Sequence, residues 1–323
     1  MRLLPIALAA VAAVGVGASV PGPLHRYLFE ANLMPVVEGQ VYRAAQPSPE
    51  QLRTWIPALG IRSVLNLRGE RGGGGWLDAE RRVTSALGVA HYDVHLDADR
   101  MPPAPRLREI VEILDSAPRP LLFHCKGGVE RSGLVGAVAV LLDGGTLESA
   151  RREFAASKGF LPLVADSDLP RVIDEYEAWL ARQGAATSPE RFRRFAASEY
   201  APDFYRAEIA AIDPPAALAP NAPSVLRFRV TNRSAEAIPF SSESGSGVHL
   251  GALLRGAGGQ PLELRGNPID LRLLPGASTE IALPLPPLSG ERTWQLQVDL
   301  VDEGVEWFSA MGSPPLALAV RTD

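Results

Sequence analysis

The residues best placed to do chemistry lie in one short stretch, LLFHCKGGVERSGLVGAVAVLL, residues 121–142. It holds the chain's single cysteine, Cys125, directly after His124. Lys126, Gly127, Gly128, Val129 and Glu130 separate it from Arg131, and Ser132 follows. Apolar PLLF predicts a buried strand ending at the cysteine, and GLVGAVAVLL a helix starting near Arg131 or Ser132. A tight loop from strand end to helix start aims backbone N–H groups inward, and the helix terminus adds partial positive charge. The glycines let backbone approach a ligand closely. Such a loop cradles an oxyanion. Arg131 can grip two oxygens with its planar fork, and the same field stabilises a thiolate. The bland alternative is a buried thiol acting as a small hydrophobe.

Elements must position these groups. A chain of 323 residues suggests about two domains. Its 46% hydrophobic and 21% charged residues are those of an ordinary globular protein. The net charge is −5, and no basic stripe accompanies it, which argues against nucleic acid as a partner. The five histidines are scattered. His91 and His95 fall in strand-like VAHYDVHLD, so no metal and no cofactor is expected. One cysteine excludes an intramolecular disulfide.

Residues 1–22 read as a signal anchor or signal peptide, because Leu3 to Val20 carries no charge and only Arg2 precedes it. Eighteen apolar residues reach the lower limit for spanning a bilayer, and the flanking arginine favours export of the rest. The expected location is membrane-anchored or secreted, with the catalytic part outside the cytoplasm (periplasmic).

Residues 23–186 alternate helical and strand-like runs. SPEQLRTWIPALG has Ser48 as cap, Pro49 in the first turn and Gly60 as stop. IRSVLNLRG, VAHYDVHLD and RPLLFHC read as strands. A mobile glycine run, Gly72 to Gly75, leads into a helix ending at Gly88. APRLREIVEILDSA, TLESARREFAASKG and LPRVIDEYEAWLARQG read as helices. Strands separated by helices imply an α/β sheet covered on both faces. Residues 187–222 read as a helical and Pro/Ala linker. Residues 223–323 carry short runs with turn residues every 8 to 12 positions, the signature of an antiparallel β-sandwich.

His124-Cys125, five residues, then Arg131-Ser132 resembles the HC-x5-R-[ST] loop of cysteine-dependent tyrosine and dual-specificity phosphatases. VYRAAQPSPEQL and LGIRSVLNLRGE look like the opening of bacterial members, and the resemblance covers about Val41 to Gln183. It implies a phosphatase-type sheet and phosphate monoester hydrolysis through a cysteinyl-phosphate. Cys125 would be the nucleophile. Lys126, Gly127, Gly128, Val129, Glu130 and Arg131 would bind the substrate, and Ser132 would help the sulfur leave. His124 would order the loop. The family's general acid is an aspartate some 25 to 35 residues before the cysteine. DVHLDADRMPPAP offers Asp93, Asp97 and Asp99, with Asp99 the first choice. Glu130 departs from the common pattern and resembles an acid found in lipid-phosphatase relatives. A rhodanese-like sulfur-transfer loop lacks the Arg-Ser pair at this spacing.

The substrate stays open among phosphorylated protein, phospholipid, and sugar or inositol phosphate. A phosphate-binding pseudoenzyme is the alternative from another class. VDEGVEWFSAMGSPPLALAV looks like the closing strands of Ig-like modules on envelope-polysaccharide proteins, which implies a glycan or protein partner. Otherwise Trp294, Trp307 and Phe308 are ordinary core.

Overall fold

Five four-residue strands form one sheet around the sole cysteine in this computed structural model. The structure describes residues 31–69, 74–159, 167–202, 204–242, 247–256, 260–289 and 293–322. The expected anchor, Leu3 to Val20, lies outside them. Among the described residues, no helix is long and apolar enough to cross a membrane. The chain divides into two units, one ending at Ala201 and one beginning at Pro202.

In the first unit the strands are β1 (Met34–Val37), β2 (Val41–Ala44), β3 (Ser63–Asn66), β4 (Ala90–Asp93) and β5 (Leu121–His124). Their order is β1-β2-β5-β3-β4. All neighbours are parallel except the β1–β2 hairpin at one edge. His124 pairs with Ala44 on one side and Asn66 on the other, so β5 is the central strand. The hairpin was not foreseen: its strands are too short to show a period, and Pro35 interrupts the first.

Alternate residues of each strand face opposite sides. Leu121, Phe123 and Leu65 join one apolar cluster. Leu122, Val64 and Ala44 join another with Leu52, Ile56 and Val83. Those last three come from α1 (Pro49–Leu59) and α2 (Gly74–Ala86), which cover that face. Ser48 accepts the Gln51 N–H and Gln51 reaches back to Ser48, a closed capping box, while Gly60 ends α1 at φ 63°. Gly74 and Gly75 already belong to α2, while Gly72 and Gly73 lie outside the described residues. The other face is covered by α3 (Ala104–Ser116), α4 (Glu130–Leu142) and α6 (Arg171–Gln183).

Between α4 and α6 the expected long helix breaks. It runs as α5 (Leu147–Arg151) and then two 3₁₀ turns, Arg152–Phe154 and Ala156–Lys158. Tertiary contact overrides helix propensity here. A Cβ on Gly133 would sit 2.8 Å from the Phe154 ring, and one on Gly136 would sit 2.7 Å from Glu153 Oε2. The small residues of α4 thus let the Glu153 turn press against it.

The expected linker, 187–222, is not a linker. It is split between the units. Pro189–Arg194 forms α7 and continues as a π-helical turn, Phe195–Glu199. Phe192, Phe195, Ala196 and Tyr200 are buried in the first unit's core, and Tyr200 donates to the Pro102 carbonyl at 2.7 Å. Residues Ala207–Ile212 form strand β6 of the second unit. A chain ending at Ala201 is expected to unfold cooperatively, whereas one ending at Gln183 should show no cooperative transition. Losing three buried aromatics at about 3–5 kcal/mol each consumes the whole of a typical 5–15 kcal/mol margin. Calorimetry of the two truncations checks this, and a normal transition at Gln183 would contradict it.

The second unit is mostly strand. β8 (Ile238–Phe240), β9 (Val248–Arg255), β10 (Leu262–Arg265), β11 (Leu271–Leu273), β13 (Thr293–Asp302), β14 (Glu306–Trp307) and β15 (Leu316–Arg321) make one sheet. β6, β7 (Ser224–Asn232) and β12 (Ser278–Leu285) make another. Both contribute to one core that holds Phe228 and Phe308, with Trp294 packed against it. The Trp307 ring lies over Gly251, where a Cβ would meet it at 2.6 Å. Phe228, Phe308 and Trp294 act as core, and Trp307 is half-buried. The pairing is β-rich in more than one sheet, without a strand plan that marks it as immunoglobulin-like.

Candidate active site

Cys125 stands one residue past the end of β5, fully buried. Lys126 to Val129 form the loop, and α4 begins at Glu130. Two donors point at the sulfur: the Gly128 N–H at 3.2 Å and the Ser132 hydroxyl at 3.3 Å. Gly128 sits at φ 67°, and a Cβ there would meet Ala45 N at 2.5 Å. Only glycine fits that turn.

Buried Arg43 sets the loop's polarity. Its Nη2 donates to the carbonyls of Gly128 at 2.9 Å and Val129 at 3.1 Å. Its Nη1 donates to the Glu153 carbonyl and to Glu153 Oε2. Asn32 adds a second donor to the Gly128 carbonyl. In a trans peptide, N–H points opposite to the preceding C=O. Fixing those carbonyls therefore turns the N–H groups of Val129 and Glu130 away from Arg43. Lys158 completes the brace by pairing with Glu153 at 2.9 Å.

Arg131 projects from the first turn of α4. Nη1 lies 3.5 Å from the Leu96 carbonyl, while Nε is buried without a partner. A buried guanidinium N–H left open costs free energy unless an anion takes it. Lys126 is exposed, and its carbonyl accepts the Gln46 N–H at 3.3 Å. Among the described residues neither Lys126, Arg131 nor Glu130 has an ion-pair partner.

His124 is buried, its Nε2 against Glu80 Oε1 at 2.8 Å. His91 Nε2 meets the same oxygen at 2.9 Å, and Gln46 donates to the other at 2.7 Å. Burial alone would raise the Glu80 carboxyl, but hydrogen bonds from His124 and His91 hold it at about 2. Burial would lower His91, yet Asp93 and Glu80 face its two ring nitrogens and raise it to about 9. Asp93 is held low by His91, Arg81 and Asn66 against the opposing effect of burial. It is a brace, not a proton donor.

This cluster has a pH signature. His91 gains a proton on folding, so its contribution is complete below its ordinary value of 6.5 and fades as pH rises through about 9. Thermal midpoints are expected to fall across that window by the equivalent of about 3 kcal/mol. His91→Gln should flatten the slope. An unchanged slope in that variant would remove His91 from the account.

The acid loop follows β4. Asp97 accepts Arg100 Nε at 2.9 Å and the Asp99 N–H at 2.9 Å. Burial pushes its carboxyl up, but Arg100 and the Asp99 N–H pull it lower overall, which disfavours it as an acid. Asp99 is exposed, and its carbonyl holds the Asp168 N–H at 2.7 Å. The Arg131–Leu96 contact puts this loop beside the arginine. The structure thus brings together Cys125, Gly128, Arg131 and Ser132, and sets Asp93 apart in the His91 cluster.

Sequence reasoning missed Arg43, Gln46, Arg68 and Glu80. One signal was present: Gln46, Arg68 and Asp97 all follow carboxyl ends of parallel strands, where α/β sheets bind ligands.

Residues 29–149 match a family model described as "DSP-PTPase phosphatase fused to NAD+ Kinase". The inositol diphosphatase DSP1 of rice (Oryza sativa subsp. japonica) is 32% identical over 105 residues, which is 31% of this chain and 45% of that protein. The core catalytic domain of the S. cerevisiae PP-IP phosphatase Siw14 aligns at 22% identity and TM-score 0.37, covering 47% of this chain and 93% of that one. Tk-PTP in its active form aligns at 20% identity and TM-score 0.35, covering 44% and 92%. Loop and family match make part of the first unit similar to phosphatase domains of the cysteine-dependent, dual-specificity type. The match to the rice protein spans less than half of that protein's length.

Proposed function

We propose that the first unit hydrolyses phosphate monoesters through a cysteinyl-phosphate. The observation that carries this is the sulfur of Cys125, met by Gly128 N–H and Ser132 Oγ, beside an arginine whose Nε is buried and unpartnered. Sγ attacks phosphorus and the ester oxygen leaves, taking a proton from Asp99. Arg131 and the loop N–H groups hold the three non-reacting oxygens as charge redistributes. Water then attacks phosphorus and releases inorganic phosphate, and the Ser132 hydroxyl donates to the departing sulfur. Glu130 next to Arg131 is the alternative donor.

A second reading is a substrate whose scissile phosphate is bonded to another phosphate. The rice relative's name supports it. Phospholipids and sugar phosphates of the cell envelope follow from the exported reading of Leu3 to Val20, and a glycan or protein partner for the second unit belongs to that reading. Phosphate release by the full chain from phosphotyrosine peptides, inositol diphosphates, phosphatidylglycerophosphate and sugar phosphates separates these. Release from none, with phosphate still bound, would make the protein a phosphate-binding pseudoenzyme.

A further inference from the structure

The reaction above leaves Arg68 without a task, yet several contacts pin it beside the thiol. It follows β3, and the neighbouring Leu67 N–H bonds to the His124 carbonyl at 2.9 Å, one residue before Cys125. Its Nη1 donates to Gln46 Oε1 at 3.0 Å. Its guanidinium lies 4.1 Å above the Trp76 ring. Gln46 is itself fixed, by Glu80 on its side chain and by the Lys126 carbonyl on its N–H. An ordinary exposed arginine roams through many rotamers; this one is held in place.

Among the described residues no carboxylate lies within ion-pairing distance of it, and Glu80 acts on it only from farther off. Among the described residues Arg68 has no ion-pair partner, and neither do Lys126 and Arg131. Burial and repulsion from Arg131 lower the Arg68 guanidinium, while the Cys125 sulfur and Glu80 raise it. Holding Arg68 and Arg131 close enough to repel one another is unfavourable, in a chain whose net charge is −5. Such local conflict marks a place where an anion completes the structure.

We propose that Arg68 binds a second anionic group of the substrate, next to the phosphoryl held by Arg131 and the loop. The site thereby selects compounds with two neighbouring anionic groups over simple monoesters. This rests on the phosphatase reading for placing the first phosphoryl at Cys125. Arg68 keeps most of its N–H fork unused by protein, and that fork matches a phosphate or carboxylate.

Titration calorimetry of the full chain with inorganic phosphate and inorganic pyrophosphate tests it. The parent should bind pyrophosphate about tenfold or more tighter than phosphate, the worth of one added charge-assisted contact. Arg68→Gln should weaken pyrophosphate by about ten- to a hundredfold and phosphate by less than about threefold. Arg68→Met keeps a long apolar side chain beside Trp76 and removes the charge, so it should behave alike even where the glutamine variant folds poorly. Equal losses for both anions would assign Arg68 to the transferred phosphoryl and overturn the proposal. No loss for either anion, or no pyrophosphate preference in the parent, would overturn it too. Each titration is run in the Cys125→Ser background, where turnover is removed, so a chain that prefers pyrophosphate there yet hydrolyses nothing with Cys125 in place would sink the phosphatase reading alone.

Discussion

Cys125→Ser is expected to abolish phosphate release, lowering turnover by about 10⁴-fold or more, while phosphate or vanadate still binds. The two halves of that result come from different parts of the structure. Turnover needs the sulfur, because a serine oxygen in the same place lacks both thiolate reactivity and a nearby base to activate it. Binding needs the loop N–H groups and Arg131, and of these the Gly128 N–H meets the sulfur, which a serine oxygen can replace as acceptor. The carbonyls of Gly128 and Val129 remain fixed by Arg43, and Ser132 still packs beneath the loop. Calorimetry with phosphate or vanadate, run beside a phosphate-release assay, reads both. Retained turnover would end the cysteine mechanism. Lost binding with an intact unfolding transition would mean that the sulfur itself holds the loop in shape.

The cysteine loop was legible because its pattern is local. Strand, loop and helix follow one another within residues 121–142, and the glycines, the arginine and the serine stand in one run. The helices were legible for the same reason: Ser48, Pro49 and Gly60 mark α1 without reference to anything distant. What stayed hidden is long-range. Arg43 reads as an ordinary residue of a short apolar run, and its value lies in meeting Glu153 and Gly128, 110 and 85 positions away. Glu80 looks like surface charge on a helix, yet it is buried between His124 and His91. The break after α5 depends on Gly133 and Gly136 admitting the Glu153 turn. Residues 187–201 resembled a linker because their aromatics face a core that only the folded first unit supplies. The β-rich end was legible as strands, since turn residues punctuate it, but strand order is set by pairings between distant segments.

Asp99→Asn is expected to lower kcat/KM by about 10² to 10⁴ on phosphotyrosine or an alkyl phosphate, the range for general-acid catalysis. Its effect on p-nitrophenyl phosphate should be much smaller. A tyrosine or alkyl oxygen leaves poorly without a proton, whereas nitrophenolate leaves readily as the anion. The geometry disfavours the two neighbouring aspartates, and Asp99 shares the loop that runs beside Arg131. Asp93 is locked to His91, Arg81 and Asn66. Asp97 is paired with Arg100 and capped by the Asp99 N–H, both of which favour its charged form. Asp99 sits exposed at the head of the same loop, three residues past Leu96, whose carbonyl lies beside Arg131. Asp97→Asn and Glu130→Gln, run on the same two substrates, make the comparison decisive. A leaving-group-dependent loss confined to Asp97→Asn would keep the loop and change the residue. The same loss confined to Glu130→Gln would move the acid into the phosphate loop itself, next to Arg131. Indifference of all three variants to the leaving group would mean that the oxygen departs without a dedicated donor, as it can when the leaving group is itself a phosphate.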